Sequence, residues 1–116
     1  QGARRVWSDS EGRLWLTEWN AGNLGMYDPV TNTWKEWKLP GQNPQPYAVF
    51  VDDKDIVWIS DFGSNAMIRF DPSVEKFQSF PLPTHDAKVR QLLGRSGEVL
   101  GAESGTDKIV IIHTGN

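Results

Sequence analysis

Shifted against itself by 43 positions, the sequence superimposes Val6 on Val49, Asp9 on Asp52, Trp15 on Trp58, Asp28-Pro29 on Asp71-Pro72 and Leu39-Pro40 on Leu82-Pro83, without a gap. Similar residues fill the same register: Trp7 with Phe50, Leu16 with Ile59, Thr17 with Ser60, Glu18 with Asp61, Tyr27 with Phe70, Trp34 with Phe77 and Trp37 with Phe80. A third, weaker copy follows at an offset of 42, setting Val57 on Val99, Asp61 on Glu103, Gly63 on Gly105, Asn65 on Asp107 and Ile68 on Val110. There Leu100 takes the Trp place and His113-Thr114 the Asp-Pro place. A repeat of this length means one supersecondary unit copied several times, each unit burying its apolar face against the next.

Within each copy, short runs of aromatic and β-branched residues are bounded by Gly, Asp, Asn or Pro, which is the pattern of strands joined by tight turns. In the second copy the spacing predicts strands near Tyr47 to Val51, Val57 to Ser60, Met67 to Phe70 and Lys76 to Phe80. Turns are predicted at Asp52-Asp53-Lys54-Asp55, Gly63-Ser64-Asn65 and Asp71-Pro72-Ser73. Four antiparallel strands in about 43 residues match one blade of a β-propeller. The fold class expected is therefore all-β, a partial propeller of four-stranded antiparallel blades forming a single domain. Blade 1 would span 4–43, blade 2 44–86, and an incomplete, three-stranded blade 3 87–116, about eleven strands in all.

Trp15 and Trp58 fall at one place in consecutive blades, among aliphatic neighbours, so both rings are expected to be buried. Trp34, Trp37, Phe77 and Phe80 fall on the outer strands, where large rings fill the gap between blades that splay apart; a stacking role for a ligand is the weaker reading.

Composition removes several classes of function. A chain of 116 residues with 38% hydrophobic and 23% charged residues is an ordinary globular composition. A net charge of -3 offers no field for phosphate backbones, so nucleic acid is not an expected partner. There is no cysteine for disulfides or thiolate metal sites, and cysteine usage does not indicate a compartment. No apolar run approaches the ~18 residues of a membrane-spanning helix. The start, Gln1-Gly2-Ala3-Arg4-Arg5, has neither an initiator Met nor an apolar leader, and reads as cut from something longer. Localisation stays open between cytoplasmic and exported.

The phrases Leu14-Trp15-Leu16-Thr17-Glu18 and Val57-Trp58-Ile59-Ser60-Asp61, each followed by Tyr27-Asp28-Pro29 or Phe70-Asp71-Pro72, resemble the repeats of the virginiamycin B lyase (streptogramin lyase) family. The resemblance covers nearly the whole chain and implies part of a seven-bladed propeller. The activity it implies, in bacterial antibiotic resistance, is elimination that linearises a cyclic depsipeptide, with a His base and a Mg²⁺ ion at the central channel. The family's base stands at the start of an innermost strand, fourteen positions before a repeat acid; here those places hold Arg4, Tyr47 and Val89. The two histidines, His85 and His113, fall instead in a linker and a turn, where solvent-facing polar residues are usual.

The repeated acids Glu18, Asp61 and Glu103 fit two roles. Carboxylates at equivalent places of adjacent blades converge toward an axis and would suit a metal; a residue type present in every copy is more simply a group that accepts backbone N–H bonds in the turn after the second strand. The second role is the expected one, with no metal site in this chain. Candidates for a central-channel or ligand site are Tyr47, Glu103, Asp61, Glu18 and Arg90, and Ala102 to Lys108 departs most from the repeat.

Three functions stand beside one another: a stretch of a streptogramin-lyase-like enzyme whose catalytic blade lies elsewhere, a non-enzymatic propeller scaffold that binds a small molecule or protein, and a sugar-lactone hydrolase-like propeller holding a divalent metal. By itself the chain is expected to be inactive. Its bare blade faces predict either the remaining blades of a longer chain or self-association into a homodimer or higher oligomer.

Overall fold

A computed structural model describes residues 3–82, 89–95, 98–103 and 108–113. Every element in it is a strand. They are β1 (Ala3–Ser8), β2 (Leu14–Glu18), β3 (Asn23–Asp28), β4 (Thr33–Lys38), β5 (Pro46–Val51), β6 (Val57–Asp61), β7 (Ala66–Asp71), β8 (Lys76–Pro81), β9 (Val89–Arg95), β10 (Glu98–Glu103) and β11 (Lys108–His113). They form three antiparallel sheets in sequence order, two of four strands (β1 to β4, β5 to β8) and one of three (β9 to β11). This is the partial propeller read from the repeat. Among the described residues no helix is long and apolar enough to cross a membrane.

The residues that recur every 43 positions have visible work to do. Asp9 closes the β1–β2 turn by accepting from Glu11 N (2.9 Å) and Arg13 N (3.0 Å), and also takes the indole N–H of Trp15 at 2.9 Å. Asp52 repeats this with Lys54 N, Ile56 N and the Trp58 indole at 3.0 Å. One carboxylate thus shapes the turn and satisfies the only polar atom of a buried indole. Asp28 and Asp71 start the next turns by accepting from Val30 N and Ser73 N. The left-handed backbone positions recur in the same register: Gly12 with Asp55, Gly22 with Asn65, and Asn32 with Glu75.

Alternation along each strand sends side chains to both faces of a blade. Trp15, Leu24 and Met26 of blade 1 meet Val49, Val57, Ile59, Ile68 and Phe70 of blade 2 in one core. Ala48, Trp58 and Met67 on the opposite face of blade 2 meet Val89, Leu92 and Val99 of blade 3 in a second. Both tryptophans are buried, as their surroundings predict. The outer aromatics differ from expectation in one respect. A spacing of three puts Trp34 and Trp37 on opposite faces, so Trp37 stacks on Trp15 (5.6 Å) inside the blade 1–blade 2 gap while Trp34 stands half-exposed on the far side. Phe77 and Phe80 divide likewise between the two gaps.

Strands β1, β5 and β9 are innermost and touch their neighbours in turn. On β5, Phe50 meets Trp7 of β1 edge-on at 5.1 Å, and its ring occupies the space a side chain at Gly94 of β9 would need.

Candidate functional site

Antiparallel pairing places the turns β2–β3 and β6–β7 and the starts of the innermost strands at one end of the wedge. Each innermost strand is irregular there. Register slips between Ala3 and Val6 against β2, between Pro46 and Val49 against β6, and opposite Ala102 and Glu103 where β9 starts. Such bulges re-aim side chains near functional sites. They fall at the positions singled out from the sequence: Arg4 lies in the first, Tyr47 in the second and Arg90 in the third.

Tyr47 is the best defined of these. The linker before it is pinned to the end of β6 by Gln45 N to Asp61 Oδ1 (2.7 Å) and Phe62 N to Gln45 O (3.0 Å). Its carbonyl accepts the Thr17 hydroxyl of blade 1 at 2.8 Å. Its ring lies parallel to Phe62 at 5.0 Å, and Trp19 stands edge-on to both, at 5.7 Å from Tyr47 and 5.6 Å from Phe62. All three rings are half-buried. They form a half-buried aromatic cluster across the blade 1–blade 2 seam. The cluster is not apparent from any single copy, but Trp19 and Phe62 are themselves 43 apart, and that pairing was its signal in the sequence.

The acids part company. Asp61 is buried and accepts from Gln45 N, Gly63 N (2.9 Å) and Ser64 Oγ (2.8 Å), the turn-fixing role expected. Glu18 is equally buried but does not fix its turn, which closes through backbone, Gly22 N to Glu18 O. The extra methylene carries its carboxyl onto the outer face of blade 1, over Gly25, where an added Cβ would stand 3.3 Å from Oε2. Among the described residues its Oε1 is the buried side-chain oxygen without a hydrogen-bond partner. Burial, and then the neighbouring Glu36 carboxyl, push Glu18 above its ordinary pKa, with Asn23 opposing. The expectation of one shared role for these acids is corrected here: an acid that reaches past its turn cannot cap it.

Glu103 and Arg90 lie on β10 and β9 with side chains outside the described residues, as is Arg4's on β1. Val89 is buried and apolar. His85 lies outside the described residues. His113 is exposed at the other end of the wedge, with Nδ1 3.5 Å from Glu98. That end also carries an open cleft of about 380 Å³ between the turns of blades 1 and 2, lined by Glu11, Arg13, Lys54, Asp55 and Asp71 among others. It gathers none of the candidate residues. Ser10 ties the blades beside it through its backbone N–H (3.0 Å) and hydroxyl (2.5 Å) to Asp55.

Among the described residues nothing gathers into a seat for the Mg²⁺ that the resemblance implies. Among the described residues no three His, Asp or Glu side chains stand close enough to share an ion. Asp61 is spent on three donors, and Glu18 faces only one further carboxylate.

The sheets and their seams define the class: a wedge of a β-propeller built from four-stranded blades. Its architecture is similar to that of virginiamycin B lyase. A catalytically inactive form of that enzyme from Staphylococcus aureus, solved with quinupristin, superimposes with a TM-score of 0.81 at 18% identity, over 98% of this chain and 42% of the lyase. A streptogramin B lyase structure matches with a TM-score of 0.80 at 20% identity, covering 99% and 41%. The extracellular domain of a one-component system from B. thetaiotaomicron gives 0.78 at 18% identity, covering 98% and 15%. The chain thus spans about 42% of the lyase's length. No protein-family model matches the sequence, and no curated protein does.

Proposed function

We propose that the chain is a stretch of a streptogramin-lyase-like propeller that supplies part of the ligand-binding wall at the channel mouth, while the catalytic base of the whole protein comes from elsewhere. The observation that carries this is the Trp19–Tyr47–Phe62 cluster, half-exposed at the end where the innermost strands begin. Ring faces fixed by a pinned linker suit the aromatic and apolar side chains of a cyclic depsipeptide. Val89, at one of the three base positions, is an aliphatic side chain with no atom that can take a proton, which supports a binding rather than a catalytic share.

Titration of the chain with quinupristin, followed by tryptophan emission and chromatography, tests the reading. Saturable quenching without linear product is expected, with affinity weakened about tenfold in Tyr47→Ala, a loss of ~1.4 kcal/mol. No quenching up to millimolar ligand overturns the binding role. Linear product formed by the chain overturns the assignment of the base to another part of the protein.

A further inference from the structure

The linker from blade 1 to blade 2 crosses the aromatic end of the wedge between two glycines and under one carboxylate. It leaves β4 at Leu39, which is buried and donates its N–H to Gly22 O at 3.1 Å. Asn43 then passes so close to Gly63 of the β6–β7 turn that a Cβ there would collide with its carbonyl oxygen. Pro44, also buried, lies against Gly22 of the β2–β3 turn, where an added Cβ would stand 3.0 Å from Pro44 Cγ. Gln45 is held on both sides: its N–H donates to Asp61 Oδ1 at 2.7 Å, and its carbonyl accepts from Phe62 N at 3.0 Å. Tyr47 follows on the same chain, with its ring 5.0 Å from that of Phe62 and 5° from parallel. The buried carboxylate of Asp61 therefore joins the two backbone segments from which the stacked rings project.

We propose that Asp61 is a positioning residue for the ligand wall: by clasping the linker to the β6–β7 turn it sets the Tyr47 ring against Phe62. The inference rests on the binding role proposed for those rings. Side-chain reach carries it. Oδ1 accepts from Gln45 N and Gly63 N and Oδ2 from Ser64 Oγ, so both oxygens are turned back onto the linker and the turn. Glu18, 43 residues earlier, has the same charge at the same backbone place, yet its extra methylene carries the carboxyl over Gly25, and its turn closes through backbone alone. The chain thus contains its own control, in which charge at this place does not make a clasp and length does. Rings fixed in advance need not be ordered when a ligand arrives, so the clasp acts on affinity without touching the ligand.

Two substitutions separate length from charge. Asp61→Glu keeps the charge and copies Glu18, whereas Asp61→Asn keeps the length and an acceptor oxygen for Gln45 N and Gly63 N. In the chain labelled at its Tyr and Phe rings, NMR reads the Tyr47–Phe62 contact without any ligand, and titration with quinupristin reads what that contact does. Asp61→Asn is expected to keep the ring contact and bind within about twofold of wild type, while Asp61→Glu loses the contact and binds about tenfold more weakly, as Tyr47→Ala does. Gly63→Ala leaves Asp61 in place and displaces the linker at Asn43, so it should reproduce Asp61→Glu and takes its place if that variant does not fold. An unchanged ring contact in Asp61→Glu or Gly63→Ala overturns the proposal. So does an Asp61→Asn that loses as much as Asp61→Glu, which would make charge the cause. A wild-type chain that does not bind quinupristin overturns the binding role of the cluster, while the ring contact still decides whether Asp61 sets the stack.

Discussion

Blades 1 and 2 follow one 43-residue script and differ most at its acid. Both hold an indole by a turn aspartate, both turn through left-handed residues at matching places, and both present large apolar groups to the next blade. At the end of the second strand, blade 2 has Asp61, short enough to fold back on its own turn and saturate itself with donors. Blade 1 has Glu18, one methylene longer, which overshoots onto the sheet and lies beside Glu36. The repeat preserves the backbone place and the charge, while side-chain length decides whether the charge stabilises or strains the blade.

The shared part is tested by the largest change. Trp58→Ala removes a buried ring between blades 2 and 3 and leaves Asp52 without the indole; a loss of roughly 3–5 kcal/mol in urea unfolding is expected. A loss near zero would mean that the tryptophans are not the centre of the script. The contrast between the acids is tested next. Asp61→Ala takes the acceptor from Gln45 N, Gly63 N and the Ser64 hydroxyl and should cost roughly 1.5–3 kcal/mol, the range for hydrogen bonds to a charged group. An effect below about 1 kcal/mol would put Asp61 on a par with an ordinary exposed turn residue.

Glu18→Gln is the smallest change and should go the other way, raising the melting temperature at neutral pH. The carboxyl of Glu18 is held above its ordinary value in the folded chain by burial and Glu36. A group raised in this way contributes stability that is fully present below its unfolded pKa, near 4.5, and lost as pH rises through the higher folded value. Wild type should therefore lose stability over that rise, and Glu18→Gln should flatten it. Asp9 opposes this trend. Burial alone would raise it, but hydrogen bonds from the Trp15 indole, Arg13 and Glu11 outweigh burial and lower it, so its contribution is present above its unfolded pKa and lost in acid. A thermal melt series in which Glu18→Gln keeps the wild-type profile would break the comparison between the two acids.

Much of this was legible in the sequence because the constraints are local. Asp-Pro pairs and Gly, Asn and Asp at left-handed positions mark turns whatever surrounds them, and the eleven strands fall where those marks leave room. The destination of a side chain across a seam was less legible. Trp34 and Trp37 look alike on paper, yet a spacing of three sends them to different gaps. Glu18 and Asp61 align without a gap, but reach is a property of the side chain and of what lies beneath it, here Gly25. The Trp19–Tyr47–Phe62 cluster joins a turn of one blade to the start of the innermost strand and a turn of the next, so no run of neighbouring residues spells it out.

Phe50 carries a consequence for how the wedge comes apart. Its ring belongs to blade 2, meets Trp7 of blade 1 edge-on and fills the space above Gly94 of blade 3. Repeat arrays are often described as beads whose stabilities add with nearest-neighbour terms. Here one side chain is shared by the innermost strands of three beads. Peeling blade 3 away bares one face of the ring and loosens the support on which Trp7 rests, so opening at one end of the wedge is felt at the other. The three units are then expected to melt as a cooperative whole along the axis, and at the rim the outer strand β4 is held to blade 2 as well, by the Trp37 indole donating to Glu75 at 2.9 Å.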